Sequence, residues 1–271
     1  MHVTLSSVAR PGGPNEDFAV SSSECVVVLD GAGMPKGLPT GCIHGVAWFA
    51  QRLGNALFRE ATETRRDLAD CLATAIQRTA DLHRGTCDVD SPFSPSAMVA
   101  ALRVQEEEEA EWLVLGDVVL VLDDGREPAV ITDQRLAEVA SGERAALRTA
   151  EPGSDGELRT HTKLVQAERA MRNRPGGFWV AAADPEAAAE AITGSTPLGD
   201  LRRVALLSDG AARFVDTFAL GDWSTCLGTL QQHGTAALIG QVRDAEFSDP
   251  ARGRWPRSKM HDDATVIFAR F

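Results

Sequence analysis

The stretch Ala97–Ile131 reads AMVAALRVQEEEEAEWLVLGDVVLVLDDGREPAVI and contains three or four short apolar runs in succession. Apolar runs of this kind, separated by polar or turn residues, are typical of β-strands. Asp123-Asp124-Gly125 supplies the turn between two of them, because Asp-Gly accepts the positive φ of a tight hairpin. We interpret Glu106–Glu109 as a solvated hairpin loop. Successive strands without helices between them indicate an α+β fold with mostly antiparallel pairing.

Strand-like and helix-like segments also occupy the rest of the chain. Together with those above, the strand candidates are Val3–Val8, Phe18–Ser21, Cys25–Leu29, Met98–Val104, Trp112–Leu115, Val118–Leu122, Ala129–Ile131, Gly177–Ala181, Arg203–Leu207 and Ala264–Phe271. Apolar residues recur at helical spacing in Gly41–Ala61, Arg66–His83, Pro185–Ile192, Ser224–Gln232 and Thr235–Phe247. Residues Ser141–Pro175 lack sustained periodicity of either kind, so we predict a mobile insertion there that acts as a flap.

Composition sets the broad class of the protein. The chain has 271 residues, of which 44% are hydrophobic and 24% charged, as in a globular protein with a large core. We expect a single domain over residues 1–271. The 27 basic residues against 39 acidic ones give a formal charge of −12, which disfavours non-specific binding to nucleic acid.

The cysteines and the apolar segments predict the compartment. Five cysteines without CxxC or CxxH spacing indicate neither a zinc motif nor a disulfide framework, and they imply a reducing compartment. Cys25 and Cys42 lie among apolar residues and are interpreted as small buried hydrophobes. His44 and His83 fall in helical stretches and are interpreted as packed or surface histidines. Met1–Arg10 carries no signal-peptide pattern and no run of 18 apolar residues occurs, so we expect a cytoplasmic protein without a membrane partner. We also expect a monomer.

Acidic residues stand at the boundaries of four strand candidates. Two apolar runs stop at Asp-Gly, in Val26–Gly31 (VVVLDG) and Val204–Gly210 (VALLSDG). Asn15-Glu16-Asp17 and Asp262-Asp263 directly precede two other runs. A carboxylate beside a hydrophobic sheet is costly to desolvate unless a cation or strong donors offset the cost. Lysine is almost absent around these sites, so we expect Mg²⁺ or Mn²⁺, which prefer oxygen ligands, as the counter-charge.

Such a site has a defined chemistry. Two ions close together would hold a hydroxide for in-line attack on a phosphoester, because metals lower the pKa of water and neutralise phosphoryl charge. Gly31, which follows Asp30, has no Cβ, so its carbonyl can approach a metal closely. A single Asp-Gly after a strand is more often a turn than a ligand. Composition and spacing alone therefore leave open both a hydrolytic metal site and a turn-rich sandwich with exposed acids.

Taken in chain order, these segments resemble the metal-dependent protein phosphatases of the 2C type, the PPM family, and its bacterial members in particular. The matching segments are Arg10 with Pro14-Asn15-Glu16-Asp17, Val28–Gly33 (VLDGAG), Ser96–Ala101 (SAMVAA), Leu115-Gly116-Asp117, Leu207–Gly210 (LSDG) and Asp262–Val266 (DDATV). The resemblance implies a four-layer αββα sandwich of two antiparallel β-sheets flanked by helices. It also implies a centre of two Mn²⁺ or Mg²⁺ ions at one end of the sandwich, with a third ion as in bacterial relatives.

The same resemblance implies ligands for the two principal ions. Asp30 would bridge the metals, and the carbonyl of Gly31 would bind one of them. Asp209 and Asp262 would bind the other ion. Asp30 and Asp209 are thereby candidate catalytic residues.

Further roles follow from the remaining matches. Glu16 and Asp17 would bind metal directly or through water, and Asp117 would hold the third ion. Arg10 would bind the substrate phosphate, because a guanidinium fork suits a phosphoryl group. The implied activity is hydrolysis of phosphoserine and phosphothreonine in phosphorylated proteins, by direct attack of a water held between the metals.

The chain departs from the family pattern at four places, one of them Gly33-Met34 where the family has a second glycine. Ala32 stands where relatives often carry His or Met, so a histidine acid for the leaving group is missing there. Val118-Val119 follows Asp117 where the family usually has Ser-Arg. Arg10 lies seven residues before Asp17, two more than usual.

Two alternatives stay open beside the protein phosphatase, the first of them because of these departures. One is a catalytically degenerate relative that uses the sandwich for binding or regulation. The other is a phosphatase of small phosphorylated molecules, with substrate choice residing in residues 141–175.

Overall fold

The computed structural model describes residues 1–33, 40–105 and 108–271. In these residues two five-stranded sheets are formed, with strand orders β1-β10-β9-β6-β7 and β2-β3-β4-β5-β8. The strands are β1 (His2–Val8), β2 (Phe18–Ser21), β3 (Cys25–Gly31), β4 (Ala97–Gln105), β5 (Glu109–Leu115), β6 (Val119–Asp123), β7 (Ala129–Ile131), β8 (Ile192–Pro197), β9 (Arg203–Leu207) and β10 (Ala264–Arg270). All neighbouring strands pair antiparallel.

Eight α-helices and two 3-10 helices accompany the sheets in the described part of the chain. They are α1 (Val46–Glu63), α2 (Leu68–His83), α3 (Arg135–Glu138), α4 (Ser141–Thr149), α5 (Asp155–Ala170), α6 (Asp209–Asp216), α7 (Trp223–His233) and α8 (Thr235–Ser248), with 3-10 helices at Pro185–Glu190 and Leu198–Asp200. Helices α1 and α2 pack on the second sheet, and α6, α7 and α8 pack on the first. Among these described helices, none is both long and apolar enough to span a bilayer.

Strand β3 shows why four layers form. Val27 and Leu29 pack against α1 and α2, whereas Val26 and Val28 face the opposite sheet and share a cluster with Leu206 of β9. Because both faces of the strand are buried, both carry apolar side chains, which gives the sequence its continuous apolar run. The α+β class and the αββα sandwich predicted from the sequence are therefore confirmed.

The stretch Ala97–Ile131 forms β4 to β7 as predicted, but it divides between the sheets. The chain leaves the second sheet after β5 and enters the first at β6, passing through Gly116 and Asp117. Gly116 has φ +85°, and a Cβ there would lie 2.3 Å from Met98 Cγ. The crossing therefore requires glycine, and it places Asp117 at the end of the sandwich. Glu106 and Glu107 of the predicted hairpin loop lie outside the described residues.

Three predictions of secondary structure are wrong. Residues 177–181 make only the isolated bridges Ala97–Ala181 and Arg172–Phe178 instead of a strand. The helix predicted over Pro185–Ile192 is a 3-10 helix that stops at Glu190, and β8 follows it. Residues 141–175 contain α4 and α5 where no regular structure was expected. These two helices bury very few side chains, so their apolar periodicity is too weak to recognise.

Candidate functional site

Strand ends from both sheets bring the predicted acids to one end of the sandwich. Asp30 lies near the end of β3, Asp117 at the crossing between the sheets, and Asp209 at the start of α6 directly after β9. Together with Glu16 and Asp262 they line a pocket of about 290 Å³. Residues separated by more than two hundred positions in the chain thus share one cavity.

Asp30 and Asp209 form the centre of this site. The backbone N–H of Asp209 donates a hydrogen bond of 3.0 Å to Asp30 Oδ2. Burial raises the pKa of both carboxyl groups, and the repulsion of neighbouring carboxylates raises it further, chiefly Asp209 for Asp30 and Asp262 for Asp209. Ionising both groups therefore carries a high cost in free energy unless positive charge is close.

Asp17 and Asp117 extend the acidic cluster. Burial raises the pKa of each to about 7, and the charge of Asp209 adds to the effect in both. Asp17 Oδ2 is buried and has no hydrogen-bond partner among the residues that the structure describes. A buried oxygen without a partner and a set of mutually repelling carboxylates together suit a hard divalent cation. The donor set therefore fits the Mn²⁺ or Mg²⁺ that the sequence analysis expected.

The glycines that follow two of these aspartates have a packing role. A Cβ on Gly31 would lie 2.2 Å from the carbonyl oxygen of Glu16, and one on Gly210 would lie 1.9 Å from that of Asp263. Neither glycine has a positive φ. Each Asp-Gly pair therefore allows another acidic segment to approach its backbone directly, which a larger residue would prevent.

The expectation that cations are scarce beside these acids is wrong. Lys259 Nζ lies 3.1 Å from both carboxylate oxygens of Asp262, and Arg213 lies 3.0 Å from Oδ2 of the same group. Burial acts to raise the pKa of Asp262, but Lys259 and Arg213 lower it below its ordinary value. The sequence reasoning missed Arg213 because it reaches the site from α6, 49 positions from Asp262.

Arg10, the predicted phosphate ligand, lines the pocket and is paired within it. Its Nη1 lies 2.6 Å from Asp263 Oδ2 and 3.1 Å from Glu16 Oε2. Asp263 also accepts hydrogen bonds from the backbone N–H groups of Arg10 (2.7 Å) and Glu16 (3.0 Å). Asp263, to which the sequence analysis gave no role, therefore holds the predicted phosphate ligand and one predicted metal ligand in place.

Helices α4 and α5 close one side of the pocket with residues that the sequence reasoning did not identify. Buried Arg169 donates to Ser96 Oγ at 2.7 Å and to the carbonyl of Ala32 at 2.9 Å. Arg144 pairs with Glu168 at 2.7 Å. Ala32, where a family histidine is missing, is thus anchored by a guanidinium. No local signal identifies these residues, because their function depends on the position of α5.

Comparisons with known proteins agree with this architecture. A profile of the protein phosphatase 2C family matches residues 6–242. No curated protein sequence matches the chain. The solved structure of the Mycobacterium tuberculosis serine/threonine phosphatase PstP/Ppp covers 100% of this chain and 98% of its own, at 13% identity and a TM-score of 0.58.

Two further solved structures are similar to the chain. The catalytic domain of the serine/threonine phosphatase PstP in complex with two manganese ions matches at 14% identity and a TM-score of 0.56, over 99% of this chain and 97% of that one. The phosphatase Stp1 from Staphylococcus aureus matches at 13% identity and a TM-score of 0.56, over 99% and 94%. These likenesses show a shared fold.

Proposed function

The chain belongs to the protein phosphatase 2C family, and on that premise we propose that it is a metal-dependent phosphatase that removes phosphate from phosphoserine and phosphothreonine in proteins. The observation that carries the proposal is a carboxylate cluster at one pocket, which Asp30, Asp117 and Asp209 line and which Asp17 adjoins. Burial and mutual repulsion raise the pKa of all four groups. Such a cluster is stable in ionised form only with cations bound to it.

We assign the metal ligands from the residues that line or adjoin the pocket. We propose two principal Mn²⁺ or Mg²⁺ ions and a third additional ion. The residues that would hold them are Asp30, Gly31 through its carbonyl, Asp209, Asp262, Glu16, Asp17 and Asp117. When bound, the ions supply a water acidic enough to attack phosphorus and positive charge for the phosphoryl oxygens. Lys259 and Arg213 keep Asp262 ionised, which preserves it as an oxygen donor.

The chain's own cations orient the substrate. Both ion pairs of Arg10 use Nη1, so Nε and Nη2 are the donors that we assign to the substrate phosphate. Asp263 fixes this guanidinium through its ion pair and through the backbone of the same residue. A phosphorylated segment of a protein substrate would enter past α4 and α5, whose residues line one side of the pocket and would select among substrates.

One observation favours a second candidate function, a catalytically degenerate module that binds phosphorylated partners without hydrolysing them. The ammonium group of Lys259 lies against Asp262 and already supplies positive charge within the acidic cluster. A lysine paired with one of these carboxylates can replace part of the charge that a metal would bring. The two candidates differ in turnover, which one experiment measures.

The test is hydrolysis of a phosphothreonine peptide in the presence of Mn²⁺, Mg²⁺ or EDTA. We expect turnover with metal that is lost in EDTA and in the Asp30→Asn and Asp209→Asn variants. Asp216→Asn is the matched control, because Asp216 lies on the same helix as Asp209 but is exposed and outside the pocket. Absence of turnover in the folded wild-type protein with Mn²⁺ bound would contradict the phosphatase and support the binding module.

A further inference from the structure

Three side chains that commonly ligate metals lie together outside the carboxylate pocket. Cys42, His83 and Cys87 each offer one donor atom, and the three atoms lie within 4.8 Å of one another. Cys42 Sγ is 3.3 Å from Cys87 Sγ and 3.6 Å from His83 Nδ1. None of the three lines the carboxylate pocket. Cys42 is half-exposed, so the expectation of a buried small hydrophobe is wrong for this residue.

The distances suit a tetrahedral zinc ion. With Zn–S bonds of about 2.3 Å and Zn–N bonds of about 2.0–2.1 Å, the edges of a tetrahedron are about 3.8 Å between two sulfurs and about 3.6 Å between sulfur and nitrogen. The separation of Cys42 Sγ and His83 Nδ1 equals the second value, and the two sulfurs need to move apart by only about 0.5 Å. A disulfide, in contrast, requires the sulfurs at about 2.05 Å.

The backbone brings these ligands together from two elements. Helix α2 ends at His83, and the N–H groups of Thr86 and Cys87 both donate to its carbonyl at 2.9 Å, so that the chain turns back toward the ring. The segment before α1 is fastened to this turn, since the N–H of Asp88 donates to the carbonyl of Gly41 at 2.8 Å. Gly41 has φ +73°, a conformation that favours glycine. The backbone therefore positions the ligands before any metal binds.

His83 lacks the partners that a buried imidazole requires. Only 2% of the residue is exposed, and its Nε2 has no hydrogen-bond partner within the described part of the chain. The neighbour of Nδ1 is a sulfur at 3.6 Å, which is a weak partner for nitrogen. Trp48, whose ring centroid is 5.2 Å away, packs edge-on and fixes the ring plane. A metal on Nδ1 would replace this weak contact with a coordinate bond.

Within the cluster, burial raises the pKa of Cys42, whereas the thiol of Cys87 differs from the chain's core thiols. Burial raises the pKa of Cys25 and Cys226 to about 12, as expected of inert core thiols. Burial also acts to raise the pKa of Cys87, but backbone N–H groups of the facing loop and its neighbouring side chains lower it below the ordinary value. Cys42 and Cys87 are both half-exposed, so a metal can reach them from solvent. Thiolate and imidazole ligands together select Zn²⁺ over Mg²⁺ and Mn²⁺.

We propose that Cys42, His83 and Cys87 bind one Zn²⁺ ion, which fastens the connection between β3 and α1 to the end of α2. Binding converts two thiols to thiolates and releases two protons to solvent, and no electron is transferred. Three protein ligands leave the fourth tetrahedral position to water, in keeping with the half-exposed sulfurs. The site does not depend on the proposed phosphatase activity.

The experiment uses the full chain, reduced and freed of metal, with excess Mg²⁺ present to occupy the carboxylates. Titration with Co²⁺ as a spectroscopic probe is expected to give thiolate-to-cobalt charge-transfer absorption that saturates at one equivalent, and one equivalent of Zn²⁺ is expected to abolish it. Cys42→Ser and Cys87→Ser should lose the absorption. Cys226→Ala, which removes a thiol outside the cluster, should keep it.

A second measurement needs no variant. Zn²⁺ is expected to protect two thiols from alkylation in the wild-type protein, and peptide mass spectrometry should identify them as Cys42 and Cys87. Absence of charge-transfer absorption in the wild-type protein, or absorption that persists in both serine variants, would overturn the proposal. A disulfide between Cys42 and Cys87 in protein kept under reductant, seen as a mass lower by two hydrogens, would overturn it as well.

Discussion

Gly210→Ala tests whether close backbone packing assembles the carboxylate pocket. The added Cβ would lie 1.9 Å from the carbonyl oxygen of Asp263, whereas real Cβ atoms essentially never approach closer than 3.0 Å. The start of α6 and the segment before β10 must therefore separate by about 1 Å or more, and neither is a flexible side chain that can rotate away. We expect a loss of about 3 kcal/mol in the free energy of unfolding, at the upper end of typical overpacking costs.

The same displacement should impair function. Asp209, whose N–H positions Asp30, directly precedes the substituted residue. A shift of about 1 Å in a catalytic constellation costs about 100-fold in rate, and we expect a loss of that order in kcat with Mn²⁺. Urea denaturation followed by circular dichroism measures the stability, and phosphopeptide turnover measures the rate.

Gly240→Ala is the matched control for this substitution. Gly240 also lies in a helix, and a Cβ there would meet nothing within 4 Å. Since alanine has the higher helix propensity, this variant should gain about 0.5–1 kcal/mol and keep its turnover. If Gly210→Ala were as stable and as active as Gly240→Ala, the reasoning from backbone contact would be refuted.

Three further substitutions test the electrostatics of the site. In EDTA the wild-type protein should lose stability as pH rises from about 4 through about 7, because the folded state binds the protons of Asp117 and Asp17 more tightly than the unfolded state does. Asp117→Asn should reduce that slope and gain up to about 4 kcal/mol at pH 8 in urea denaturation. Lys259→Met should strengthen Mn²⁺ binding about tenfold by calorimetry, since Arg213 still favours the ionised form of Asp262 while the change removes a competing charge from its oxygens. Arg169→Met should lower the free energy of unfolding by about 1–3 kcal/mol, because the carbonyl of Ala32 loses its donor. A variant that melts at the same temperature as the wild-type protein would contradict this.

Local sequence signals predicted part of this structure but did not predict one edge strand or the long-range contacts of two arginines. The Asp-Gly endings at Asp30 and Asp209 were recognisable because a buried strand and the acid that ends it are adjacent in the chain. Strand β8 was missed because it lies at an edge, and its exposed and half-buried residues give no apolar run. Arg213 and Arg169 were missed for a different reason. Their partners lie 49 and 73 positions away, so only the assembled fold shows the contact.

The same limit applies to the cysteine cluster. Cys42 is separated from His83 by 41 positions and from Cys87 by 45, and no contiguous zinc motif has that spacing. The pairing depends on the backbone contact between Gly41 and Asp88, which joins two loops on the outside of the second sheet. A search by motif therefore finds no zinc site in this chain, whereas the folded arrangement provides three ligands.

The charge of the pocket predicts how many ions the proposed reaction requires. The described residues that line it include six carboxylates and four lysine or arginine side chains, a formal charge of −2 when all are ionised. One divalent ion neutralises this charge, and two ions bring it to +2, which complements the dianion of a phosphomonoester. Inorganic phosphate should therefore bind weakly until the second equivalent of Mn²⁺ is taken up, with affinity rising at least tenfold between one and two equivalents. Calorimetric titration of phosphate into protein loaded with defined amounts of Mn²⁺ measures this, and equal affinity with no, one and two ions would show that the pocket's cations alone hold the anion.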